Sequence, residues 1–89
     1  RKNVFIKDKL VGYIDGEGFI YISGKKFAEL TEDGDIYVND ELVGYIEDGG
    51  DIYLRDKLVG HVTPNNDLKF DNIWLDFLFF DRKVKNVYF

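Results

Sequence analysis

One phrase, written four times at a period of sixteen residues, constrains this chain more than any other feature. Blocks starting at Val4, Ile20, Ile36 and Ile52 read VFIKDKLVGYIDGEGF, IYISGKKFAELTEDGD, IYVNDELVGYIEDGGD and IYLRDKLVGHVTPNND, with no insertion or deletion between them. A repeat this short is one supersecondary unit, and it cannot bury an apolar face without its neighbours. Each block runs apolar, aromatic, apolar, then a polar pair, then a second apolar run. The pairs are Lys7-Asp8, Ser23-Gly24, Asn39-Asp40 and Arg55-Asp56. Gly, Asn and Asp tolerate the positive φ of a two-residue primed turn, and the flanking β-branched and aromatic residues favour strands. Each block therefore predicts a β-hairpin. The joining segments DGEG, TEDGD, EDGGD and TPNND are short turns, so the hairpins follow one another without crossovers.

The expected fold is all-β: four tandem hairpins, about eight short strands in up-and-down order. Residues 1–89 form a single domain, with the repeats at 4–67 and a cap segment at 68–89. Pairing across Asn39-Asp40 sets Val38 opposite Glu41, Tyr37 opposite Leu42 and Ile36 opposite Val43. One face then carries Ile36, Val38, Val43 and Tyr45, and the other Tyr37, Leu42, Gly44 and Ile46. Both faces are largely apolar, and an isolated hairpin of that kind would aggregate. Neighbouring hairpins or a second subunit must cover them, which points to a homo-oligomer. Gly12, Gly44 and Gly60 recur at one position, with Ala28 at the fourth. Two readings stand: an aromatic ring lying over the missing side chain, or close approach of another backbone.

After Asp67 the period fades. LKFDN begins like a fifth block, but IWLDFLFFDRKVKNVYF does not continue it. Alternation sets Ile73, Leu75, Phe77 and Phe79 on one side and Trp74, Leu78 and Phe80 on the other. A strand pair turning at DRK fits, and so does a short buried helix from Asn72. A repeat array needs an atypical end to cover its last apolar face. Trp74, Phe77, Phe79 and Phe80 are accordingly the interface candidates.

Composition narrows the function classes. The chain has 45% hydrophobic and 17% aromatic residues, too apolar for disorder. Seventeen acidic residues against twelve basic ones give a net charge of −5, which disfavours nucleic acid as a partner. There is no cysteine, hence no disulfide framework or thiolate chemistry, and no apolar run of membrane-spanning length. The chain contains no methionine, so a start codon is expected outside it, and the compartment is left open.

Four hairpins of the form IYVNDELVGYI, each followed by a short acidic turn, resemble the bacterial four-fold beta-flower domains over residues 4 to 67. That resemblance implies hairpins gathered around a pseudo-four-fold axis, and it brings no catalytic residues and no established function. Block two departs from the pattern, with KKFAEL for KLVGYI. VGYID at 11–15 echoes the WGYID of WG-type bacterial repeats, which have a longer period. Choline-binding cell-wall repeats use a tryptophan at each site, and only Trp74 is available here.

The residues offer little catalytic chemistry. The side-chain hydroxyls beyond tyrosine are Ser23, Thr31 and Thr63, and the one histidine is His61. None forms a recognisable nucleophile–base pattern, so no enzyme is expected. EDGGDIYL and DGEG echo fragments of calcium loops without the full ligand spacing, so no metal and no cofactor is assigned. Tyr13, Glu29, Tyr45 and His61 are equivalent by repeat. Around a four-fold axis Tyr13 would face Tyr45, and Glu29 would face His61, which makes these four the candidate binding residues. The sequence thus favours a non-enzymatic structural or protein-interaction domain. The competing reading is a module binding a carbohydrate, peptide or cation through the tyrosines and acidic loops.

Overall fold

A computed structural model describes residues 2–71 of the chain, all of them strand, turn or loop. Nine strands follow in chain order: β1 Lys2–Ile6, β2 Lys9–Ile14, β3 Phe19–Ile22, β4 Lys25–Leu30, β5 Asp35–Val38, β6 Glu41–Ile46, β7 Asp51–Leu54, β8 Lys57–Val62 and β9 Leu68–Phe70. Each pairs with the next, and β9 returns to β1, so the sheet closes into a barrel. Closure removes the free strand edges that would otherwise template aggregation. The sequence-predicted strand pair or helix from Asn72, and the candidates Trp74, Phe77, Phe79 and Phe80, lie outside the described residues.

The polar pairs form primed turns. Asn39 and Asp40 have φ of 52° and 67°, and Lys7, Asp8, Ser23, Arg55 and Asp56 share the same region. At the other end, the inter-hairpin loops each place a residue of positive φ just before the next strand: Gly18, Gly34, Gly50 and Asn66. The Gly18 N–H donates to the Asp15 carbonyl at 3.1 Å and the Asp15 N–H to the Phe19 carbonyl at 3.0 Å, a three-residue hairpin loop. The Asp15, Thr31 and Thr63 side chains brace their loops by accepting from the N–H groups of Phe19, Asp35 and Asp67.

The expected pairing holds next to the turn and then slips by one residue. Val38 faces Glu41 and Tyr37 faces Leu42, but Ile36 faces Gly44 rather than Val43. Val43 is the extra residue of a β-bulge, and the same shift recurs in the other three hairpins. The bulge reverses the alternation along the second strand. Val43 and Gly44 are buried together, while Leu42 and Tyr45 stay on the outside. Tyr45 therefore leaves the apolar face on which simple alternation placed it.

The first strands send Val4 and Ile6, Ile20 and Ile22, Ile36 and Val38, and Ile52 and Leu54 inward, and all are buried. Val43, Val59 and Phe27 enter from the bulges, and Leu68 and Phe70 complete the core from β9. Among the described residues no polar side chain is buried.

The repeated glycines answer to the neighbouring backbone. A Cβ on Gly12, Gly44 or Gly60 would overlap the carbonyl oxygen of Tyr21, Tyr53 or Lys69, one strand along. Close backbone approach, not a covering ring, is what the position demands. Each of these joints pairs through three residue pairs, such as Gly44 with Leu54, Tyr45 with Tyr53 and Ile46 with Ile52. Each also gains a bond to the bulge carbonyl: Ser23 N–H to Val11 at 3.0 Å, Arg55 N–H to Val43 at 2.9 Å and Asp71 N–H to Val59 at 2.7 Å. Where Ala28 replaces the glycine, β4 and β5 pair only through Glu29 with Tyr37 and Leu30 with Ile36.

An up-and-down barrel with an odd number of strands must contain one parallel joint, and here it is β1 against β9. Val4, Phe5 and Ile6 lie beside Leu68, Lys69 and Phe70, their own equivalents four repeats later. LKF thus behaves as the first strand of a fifth block and becomes the last stave. The Lys7 N–H donates to the Phe70 carbonyl at 2.9 Å, and the Asn3 N–H to Asp67 Oδ1 at 3.1 Å. Lys69 Nζ meets Asp8 Oδ1 at 2.6 Å. The Lys69 hydrogen bond, and then its charge, hold the Asp8 carboxyl below its ordinary value of 3.8. A depressed carboxyl stabilises the fold above its ordinary value and loses that contribution as pH falls through the folded one. Asp8→Asn should therefore narrow the stability gap between neutral pH and pH 3, relative to wild type, in paired thermal melts. The effect is small because the pair is exposed.

Candidate functional site

With the core filled by side chains, the places left for recognition are the outer face and the two barrel ends. Tyr13, Glu29, Tyr45 and His61 stand at equivalent places on β2, β4, β6 and β8, next to the inward Ile14, Leu30, Ile46 and Val62. They occupy every second strand on the outside of the barrel and do not face one another across its axis. Each instead meets the first strand of the following block: Tyr13 opposes Tyr21, Glu29 opposes Tyr37, Tyr45 opposes Tyr53 and His61 opposes Lys69.

This row divides into two kinds. Tyr13 stacks on Tyr21 with ring centroids 5.0 Å apart and planes at 13°. Tyr45 stacks on Tyr53 at 5.3 Å and 17°. Such pairs contribute about 0.5–1.5 kcal/mol beyond their burial. Partial desolvation, followed by the Asp15 charge, raises the Tyr21 phenol above its ordinary value. The Glu47 charge, followed by desolvation, does the same for Tyr53. At the other two joints no tyrosine pair fills the space, and grooves lie there. A groove of 270 Å³ beside Glu29 and Tyr37 is walled by Phe19, Lys26, Asn39 and Asp40 among others. A second, of 340 Å³, lies at the seam between Lys7, Asp8, His61, Lys69, Phe70 and Asp71.

No family model, curated protein or solved structure matches the chain.

A cavity of 670 Å³ opens at the loop end over Ile14 and Leu30, with Asp15, Glu17, Glu29 and Glu32 around it. Among the described residues no three of His, Cys, Asp or Glu stand close enough together to hold a metal ion. The EDGGD loop spends its backbone on its own turn: the Gly50 N–H donates to the Glu47 carbonyl at 2.8 Å and the Glu47 N–H to the Asp51 carbonyl at 2.9 Å.

Residues that composition and spacing did not single out complete the grooves. Phe19, Lys26, Tyr37 and Asn39 join Glu29, and Lys26 Nζ lies 3.8 Å from the Phe19 ring centroid. Their signal was present in the sequence, since KKFAEL is where block two departs from the repeat. The hairpin end shows a second feature. Leu10, Leu42 and Leu58, equivalent by repeat, are 57%, 55% and 53% exposed. They oppose Phe5, Tyr37 and Tyr53, and block two has Lys26 opposite Tyr21 at this position. An interrupted apolar girdle results.

Proposed function

We propose that the chain is a non-catalytic protein-interaction domain whose working surface is this girdle, with a second copy as its first partner. The observation that carries the reading is the recurrence of three leucines, each more than half exposed, beside outward aromatics at one barrel end. Apolar residues scattered singly over a surface need no explanation, but a repeated band of them marks a contact surface. The kinship to four-fold beta-flower domains belongs to the same proposal and is supported by four hairpins set around one axis. Sedimentation of the wild-type chain should give a mass that rises with concentration. The triple substitution Leu10→Thr, Leu42→Thr and Leu58→Thr, which keeps strand-forming residues, should hold the chain at one copy. A wild-type mass of one chain from micromolar to millimolar would remove the second copy as partner.

A further inference from the structure

We infer that the groove between β4 and β5 is a sugar-binding site in which the ring of a pyranose takes the place of a missing tyrosine. The repeat itself defines the vacancy. Tyr21 and Tyr53 are each covered by a ring from the preceding strand, whereas the residue opposite Tyr37 is Glu29. Ala28 lines the same place, in the joint where β4 and β5 pair through two residue pairs only. The 270 Å³ that results is enough for one sugar ring.

The walls select the ligand class. Tyr37 lines the groove with an aromatic ring, which can take an apolar surface, and pockets are completed by a few polar groups that fix orientation. Here Glu29, Asn39 and Asp40 offer acceptors, while Lys26 and the Asn39 amide offer donors. A pyranose presents an apolar C–H face and a rim of hydroxyls that both donate and accept. An aromatic side chain would supply the face but leave the carboxylates without donors. A simple ammonium would meet Lys26, which already sits over the Phe19 ring. The groove adjoins the interruption of the girdle at Lys26 and shares Tyr37 with it, but Glu29 lies outside the girdle, so Glu29→Tyr tests sugar binding without altering the leucines.

The test is an NMR titration of the full chain with methyl β-glucoside, methyl β-galactoside and N-acetylglucosamine, each raised into the tens of millimolar range expected of single-ring ligands. Saturable shifts at Lys26, Glu29, Tyr37 and Asn39 with at least one sugar, and none at His61 and Lys69, are the expected result. Glu29→Tyr restores the residue that blocks one and three carry, so it should keep the fold, stack on Tyr37 and abolish the shifts. Glu29→Gln keeps the groove and should retain binding weakened several-fold. No saturable shift with any of the three sugars would overturn the proposal, and so would shifts that persist unchanged in Glu29→Tyr.

Discussion

Truncating Ile52 to alanine should lower the free energy of unfolding by about 2–5 kcal/mol. Ile52 is 0% exposed and stands on β7 between Ile46 of β6 and Gly60 of β8. The cost of such a truncation depends on whether neighbours can collapse into the space. Gly60 has no side chain to offer, and the closed ladder holds both flanking strands in place. The loss should therefore fall in the upper part of that range. A domain of this size has about 5–10 kcal/mol of stability in all, so the variant would sit close to unfolding at 37 °C. Each kilocalorie corresponds to about 4–8 °C in Tm for a chain of this length. Urea and thermal melts with an unchanged denaturant slope check the result. A loss below about 1 kcal/mol would show that the barrel interior is not packed around this side chain.

That a conservative truncation should cost so much follows from how the repeat uses its residues, and most of that use can be read from the sequence. The sixteen-residue period, the turn pairs and the apolar alternation of the first strands lead to hairpins in up-and-down order. Alternation puts Ile36 and Val38 on one face, but with both faces largely apolar only the closed barrel shows that this face is the inward one. What alternation could not supply is the bulge at Val43. Its signature is an extra residue in the pairing, and pairing is a property of two strands together, invisible in either one. Missing it moved Tyr45 to the wrong face and hid its stack on Tyr53. Closure by Leu68–Phe70 was equally hard to see. LKF resembles the start of another block, but only the geometry of the whole ring decides whether four repeats close on themselves or need one more stave. The site suffered from the same limit. Equivalence by repeat correctly grouped Tyr13, Glu29, Tyr45 and His61, yet what matters is the residue each one faces across a joint. Glu29 lines its groove together with Tyr37, the residue opposite it, and with Ala28 next to it.

Gly44→Ala tests that joint logic most directly and is expected to cost about 1–3 kcal/mol, as for insertion of a methyl into a tightly packed place. The new Cβ would lie 2.6 Å from Leu54 Cδ2 and 3.1 Å from Leu54 Cα, besides overlapping the Tyr53 carbonyl oxygen. The leucine can turn away, but the backbone can yield only by separating β6 from β7. The chain already contains an alanine at the equivalent place, Ala28, and its joint pairs through two residue pairs rather than three. Gly44→Ala should therefore copy the second joint into the third. The pairing of Gly44 with Leu54 should be lost, the Arg55 to Val43 bond weakened and the Tyr45–Tyr53 stack loosened. Amide exchange at Arg55 should quicken, and the ring-current shifts of the two tyrosines should shrink together. The reverse change, Ala28→Gly, should draw β5 against β4. It gains a ladder pair but gives up about 0.5–1 kcal/mol of backbone freedom, so its net effect on stability is close to zero. The pair of variants thus separates geometry from energy: both should alter the width of a joint, and only one should alter the melt. If Gly44→Ala leaves the stability and the tyrosine stack unchanged, backbone approach is not what reserves this position for glycine, and the opening beside Glu29 needs a different cause.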